Sequence, residues 1–144
     1  MNTKKQRGGI GENPKYKFKT TGKLVIQLQN LINAKVRNRD DLGGYFKCMA
    51  CGEYKPMKSA NAGHYFSRGN YPSVRFDLFN IWTCCIKCNY HLHGNLIPFR
   101  ENLIKKIGEN QFRQLEMKAH LKNFKYTREF LITEIERLKK ELSK

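Results

Sequence analysis

Leu24, Val25, Leu28, Leu31, Ile32 and Val36 recur at three- and four-residue steps, with Lys and Arg between them. That spacing gathers the apolar side chains on one stripe of an α-helix and the cations on the other face. The helix starts near Thr21 and should stop at RNRDDLGG, where Asp40, Asp41, Gly43 and Gly44 make a turn. It forms the main part of a basic N-terminal helical segment over 21–47. Ahead of it, MNTKKQRGGIGENPKYKFK is basic and broken by Gly8, Gly9, Gly11 and Pro14. Little there can be buried, so residues 1–20 read as a flexible basic arm.

The helical period then lapses. AGHYFSRG and VRFDLFNI read as short strands on either side of the loop RGNYPS, and CIKCNYHLHGN as a helix ending at Gly94. After Pro98 the period returns. FRENLIKKIG predicts a short helix closed by Gly108, and QFRQLEMKAHL a second. A longer one begins near Thr127, with Phe130, Leu131, Ile135, Leu138 and Leu142 on one side. The fold class is therefore α+β, with helices over 21–47 and 99–144 around a centre over 48–98. No apolar run approaches the ~20 residues that cross a bilayer, and no signal-peptide core follows the start. A cytoplasmic protein with no membrane partner is the expectation.

Charge narrows the partner. Twenty-eight Lys and Arg face twelve Asp and Glu, giving a net charge of +16. A merely solvated surface does not need so one-sided a balance, and a polyanion, nucleic acid above all, accounts for it.

The cysteines narrow the chemistry. Five occur, an odd number, and four form two C-x-x-C pairs, Cys48 with Cys51 and Cys85 with Cys88. Each pair can turn two thiolates back on one ion, and two such knuckles complete the tetrahedral shell that zinc prefers. Gly52, just after the second cysteine, relieves a crowded turn. Four closed ligands make the Zn²⁺ structural. Cys84 is left over, a small buried hydrophobe by default.

Between and after the knuckles, His64, Asn80 and Asn89 follow in order. This order resembles the HNH (His-Me finger) nucleases, whose ββα-metal unit is often clamped by two such knuckles. AGHYFSRG, VRFDLFNI, CIKCN and GNLIPFR together resemble, more closely still, the phage NinG family, recombination endonucleases related to lambda Rap. The resemblance runs from NAKVRNRD through LIKKIG, with a weaker tail to the last helix.

It implies a zinc-stabilised ββα-metal core and a metal-dependent, structure-selective DNA endonuclease. The substrate it implies is a branched recombination intermediate, a Holliday junction or D-loop, in the bacterial host of a phage or prophage. His64 is the general base, since a histidine suits proton abstraction near neutral pH. Asn80 takes the role of the motif's middle Asn and fixes the loop around the base. Asn89 stands where the final His or Asn ligates a catalytic Mg²⁺ or Mn²⁺.

Two positions depart from the motif. Many HNH enzymes have an acidic residue where this chain has Gly63, and Asn89 replaces a final His. His91 is the reserve ligand for the catalytic ion, and Asp77 and His93 are further substitutes. His93 and His120 read as bystanders. Arg68, Arg75 and Arg100 suit bidentate phosphate contacts, although Asp77 or Glu101 compete for Arg75 and Arg100. Lys15, Lys17 and Lys19, with the lysines ahead of them, suit the DNA backbone. Two cuts resolve a four-way junction, so a homodimer would fit, with the apolar stripe of the last helix as interface or as ordinary core. The alternative to an enzyme is a zinc-ribbon DNA-binding protein without cleavage.

Overall fold

The computed structural model describes residues 13–144. Most of the expected basic arm, up to residue 12, lies outside them. The described elements are α1 (Thr21–Asp40), β1 (Tyr45–Lys47), β2 (Tyr54–Pro56), β3 (Asn61–His64), β4 (Ile81–Cys84), α2 (Leu96–Ile107), α3 (Glu109–Ala119) and α4 (Arg128–Leu142). A π-helical turn, Lys87–His91, joins β4 to α2. The fold is mixed α+β, as the periodicity predicts.

Contacts divide the chain into two compact units, Met1–Leu28 with Tyr126–Lys144, and Gln29–Lys125. In the first, Leu24 and Leu28 of α1 are buried, as are Leu131, Ile135 and Leu138 of α4. Leu131, Ile135 and Leu138 of the α4 stripe are therefore core, while Phe130 is exposed. Tyr16 is buried as well, on a 3-10 turn over Pro14–Tyr16 that Asn13 caps. Its hydroxyl donates to the Glu136 carboxylate, which also pairs with Lys15 at 2.6 Å. Residues 13–20 thus hold a fixed aromatic anchor, hidden in the sequence by the lysines around it. Thr127 caps α4 by accepting from the Phe130 amide at 3.1 Å.

In the second unit, α1 ends at Asp40, and Tyr45–Lys47 is a strand rather than helix. Asp41 Oδ1 accepts from the amides of Gly43 and Gly44 at 3.0 and 2.7 Å, and both glycines take positive φ, +96° and +103°. That Asx turn reverses the chain. β1 pairs antiparallel with β2, Phe46 opposite Lys55, and β3 with β4, His64 opposite Ile81. VRFDLFNI is not a strand before Ile81. Pro72–Val74 is a 3-10 turn, Asp77 accepts from the Phe79 amide at 2.9 Å, and Asn80 donates back to the Asp77 carbonyl. Local polar bonds win over a ladder there. α2 starts at Leu96, ahead of Pro98, because a proline in the first turn lacks only an N–H that the helix cannot use.

Each sheet has two strands, and a lone ribbon of that size is marginal in water. β4 is held along its second edge by side chains. Arg39 donates to the Leu78 and Ile81 carbonyls at 2.9 and 2.7 Å, and its guanidinium lies 3.9 Å from the Trp82 ring centre. Asp40 accepts from the Thr83 amide at 2.9 Å, and the Met49 amide donates to the Thr83 carbonyl at 3.1 Å. The end of α1 stands in for a missing strand. Arg39→Ala should therefore lower stability by roughly 2–3 kcal/mol, from lost charged hydrogen bonds and the ring contact. Urea unfolding followed through Trp82, the one tryptophan, measures it. Arg39→Lys should recover little, since one ammonium cannot serve all three partners.

Candidate functional site

The two knuckles converge. The Sγ atoms of Cys48, Cys51, Cys85 and Cys88 all lie within 4.8 Å of one another, Cys51 and Cys85 3.9 Å apart. Thiolates on one tetrahedral zinc sit about 3.8 Å apart, so the cage fits that ion. Backbone amides point at the sulfurs, as a knuckle requires: Cys51 N to Cys48 Sγ at 3.5 Å, Cys85 N to Cys48 Sγ at 3.3 Å, and Cys88 N to Cys85 Sγ at 3.5 Å. Asn95 Nδ2 reaches Cys88 Sγ at 3.4 Å. No motif signalled that last contact. All five cysteines are free thiols, and the four could hold a zinc ion.

The thiols do not share their protons evenly. The Cys84 thiol, donating to Cys48 with help from backbone amides, holds Cys48 down at about 4. Burial and the neighbouring sulfurs push Cys51 up to about 12, and burial raises Cys88. The bond to Cys48 raises Cys84 in turn, with burial adding to it. Cys84 is buried, as a leftover hydrophobe should be, yet it also tunes a ligand. Loading zinc must expel protons from the thiols that still hold them.

His64 ends β3, half-buried, with Nε2 2.9 Å from the Arg75 carbonyl oxygen. Burial lowers its pKa to about 4 against the opposing bond to the Arg75 carbonyl, and the charges of Arg68 and Arg75 push the same way as burial. Asn80 is fully buried. Its Oδ1 accepts from the Phe66 amide at 2.8 Å, and its Nδ2 donates to the Phe66 and Val74 carbonyls at 2.9 and 3.1 Å. One amide thus ties both ends of the loop that follows His64.

Asn89 is half-buried on the π-helical turn and packs against Gly63, where an added Cβ would stand 3.3 Å from Asn89 Oδ1. His91 is exposed, its ring against Tyr90, and so is His93. Asp77 is bound to Lys118 at 3.1 Å. His120 Nδ1 donates to the Glu116 carbonyl at 2.8 Å, and its ring packs edge-on with Tyr71.

Arg68 is exposed. Arg75 donates to Gln29 at 2.9 Å, and Arg100 lies over the Phe112 ring at 5.0 Å. Lys15, Lys17 and Lys19 belong to the other unit. There Lys15 pairs with Glu136, Lys19 donates to Gln27 at 2.7 Å, and Lys17 lies 5.5 Å from the Phe18 ring centre. Gln29, Arg39 and Asp40 escaped the sequence reading, because their partners are distant in the chain and no local spacing marks them.

The purified chain should carry one zinc, measured by metal analysis. Cys88→Ser should lose it together with the fold of the Gln29–Lys125 unit, while Cys84→Ala keeps it. Protons compete with the ion for thiolate sulfur, so zinc should be released as pH falls, read by a chromogenic chelator.

The family model described as "Bacteriophage Lambda NinG protein" matches residues 2–144. "Protein ninG" of Escherichia phage 933W is 39% identical over 93 residues, 64% of this chain and 44% of that protein. For "Protein ninG" of Escherichia phage lambda the figures are 38% over 93 residues, 64% and 43%. For that of Salmonella phage P22 they are 41% over 85 residues, 58% and 39%. The chain therefore matches less than half the length of each of these relatives. No solved structure matches. Among the described residues, no helix is long and apolar enough to cross a membrane. With the family model matched over all but its first residue, the chain belongs to the NinG family.

Proposed function

We propose that this chain is a metal-dependent, structure-selective DNA endonuclease of the HNH type, related to lambda Rap. Its substrate is a branched recombination intermediate, a Holliday junction or D-loop, in a phage or prophage pathway. One observation carries the reading: the hydrogen bond from His64 Nε2 to the Arg75 carbonyl.

A carbonyl oxygen can only accept, so Nε2 carries the hydrogen and Nδ1 keeps the lone pair. With its pKa held near 4, His64 is neutral at physiological pH. A neutral imidazole in a fixed tautomer is what a general base needs to take a proton from an attacking water. The charges of Arg68 and Arg75 also disfavour protonation of His64, and around a scissile phosphate both would neutralise the phosphoryl oxygens. Asn80, bonded to both ends of the intervening loop, keeps Arg68 and the Arg75 carbonyl in register with the base.

The order β3, β4 and then the Lys87–His91 turn supports reading a ββα unit here, with the turn in place of its helix. In that frame Asn89 is the residue that would hold a catalytic ion. Asn89 offers a single oxygen. Among the described residues, the four cysteines are the one group of three or more His, Cys, Asp or Glu able to share an ion. The protein shell for Mg²⁺ or Mn²⁺ is thus sparse, with His91 the nearest reserve along the chain, and DNA oxygens and water must complete it. When bound, the ion would stabilise charge on the phosphoryl and leaving oxygens. The +16 charge and the family suit DNA as partner, with Arg100, Lys15, Lys17 and Lys19 as further backbone contacts. Two cuts at one junction favour a homodimer in action.

Cleavage of labelled four-way junction and linear duplex with Mg²⁺ or Mn²⁺ tests the reading. His64→Ala should cut roughly 10²–10⁴-fold more slowly, with zinc content and junction binding unchanged. Binding without cleavage by the wild type would instead favour a zinc-ribbon binding protein. The acid side of the pH–rate profile follows from the lowered pKa. His64 is in its base form above about pH 4, so activity should not fall through pH 6.5, where an ordinary histidine would become protonated.

A further inference from the structure

Large apolar side chains are exposed together on one short stretch. Ile86, Tyr90, Leu92, Leu96 and Ile97 all face solvent, Tyr90 by 75% and Ile97 by 79%. Single exposed apolar residues are ordinary on a protein surface, but five within the span 86–97 are not.

This stretch is not loose. The Leu92 amide donates to the Lys87 carbonyl at 2.9 Å, that of Gly94 to Cys88 at 2.8 Å, and that of Asn95 to Leu92 at 2.8 Å. With Asn95 on Cys88 Sγ, these bonds fasten the tip to the cysteine cage and hold its apolar groups outward. His93, Gly94 and Asn95 successively take φ of +50°, +97° and +49°. Two of those residues are not glycine, and such backbone persists where surroundings impose a shape that local energetics would not choose.

The flanking charge identifies what the tip meets. No Asp or Glu occurs between Asp77 and Glu101, while Lys87 and Arg100, both exposed, flank Tyr90, Leu92, Leu96 and Ile97 along the chain. Apolar groups between two cations match DNA opened at a base step, with bases against the apolar groups and phosphates against the cations. In a linear duplex the base faces are stacked away. At a branch point they are within reach. Tyr90 directly follows Asn89 of the candidate site.

We propose that the Tyr90–Ile97 tip is an apolar wedge for the bases at a DNA branch, with the Tyr90 ring stacked on a base face beside the scissile phosphate. The wedge rests on the endonuclease reading for its partner. It adds the feature that selects branched over linear DNA.

The test uses the full zinc-loaded chain and a four-way junction with 2-aminopurine at the branch, with Ca²⁺ in place of Mg²⁺ so that binding is read before any cutting assay. Wild type should raise the fluorescence as the base analogue unstacks. Tyr90→Ala and Ile97→Ser should each reduce that rise and weaken junction binding by about tenfold. Affinity for linear duplex should stay within about twofold, since phosphate contacts dominate it. Tyr90→Phe, which keeps the ring, should respond as wild type and so separates stacking from damage to the fold. An unchanged signal and affinity in Tyr90→Ala overturns the wedge. So does a Tyr90→Ala effect confined to lost self-association in sedimentation. A wild type that unstacks the junction but cuts nothing with Mg²⁺ or Mn²⁺ overturns the endonuclease reading and leaves the wedge standing. One that cuts junctions without unstacking them does the reverse.

Discussion

Four sulfurs within 4.8 Å of one another set the constraint on which the Gln29–Lys125 unit depends. One knuckle lies in the turn between β1 and β2, and the other begins directly after β4. A shared ion would therefore cross-link two ribbons that are each too small to persist alone. Everything near His64 inherits its position from that link. β4 leaves the cysteine cage, β3 pairs with β4, and His64 sits opposite Ile81 at the end of the ladder. The Arg39–Asp40 clamp fixes the other edge of β4. Neither clamp nor cage substitutes for the other, because one satisfies backbone groups of a single strand and the other joins separate segments.

How much of this was legible follows from how local each signal is. Two thiolates turned onto one ion need a fixed short spacing, so both knuckles could be read directly, and their convergence followed from chemistry. α1, α3 and α4 announced themselves by sustained periodicity. β1 and β2 are three residues each, too few for alternation to appear. The Tyr16 anchor was obscured by lysines whose long stems accompany a buried ring without sharing its burial. The Arg39–Asp40 clamp was unreadable for a different reason. An arginine and an aspartate at a helix end look like turn chemistry until the strand they serve, some forty residues later, is placed beside them.

Burial has two effects at His64. It keeps the imidazole neutral at physiological pH, so no proton need be lost before the residue acts. A pKa near 4 also makes a weak base, and proton transfer from water to such a base is uphill. Arg68 and Arg75 add to that weakness in the free protein. A bound phosphate would answer them, because an anion between the arginines and the imidazole cancels the charges that disfavour protonation. On this reading the base regains part of its strength when DNA arrives, while burial, the larger cause, still keeps its pKa lowered.

Gly63 shows why the acidic residue found in many HNH enzymes is missing here. Side chains alternate along a strand, so His64 and position 63 face opposite sides of β3. On the side of Gly63, a Cβ would stand 2.9 Å from Cys84 Sγ and 3.3 Å from Asn89 Oδ1. Real Cβ atoms essentially never come that close to a neighbour, and this one is buried. Cys84 cannot retreat freely, since its thiol is engaged with Cys48 of the cage. The packing that supports the cysteine cage thus leaves no room for a side chain at position 63. On the proposed endonuclease reading, a catalytic ion would then have to take most of its ligands from the substrate side.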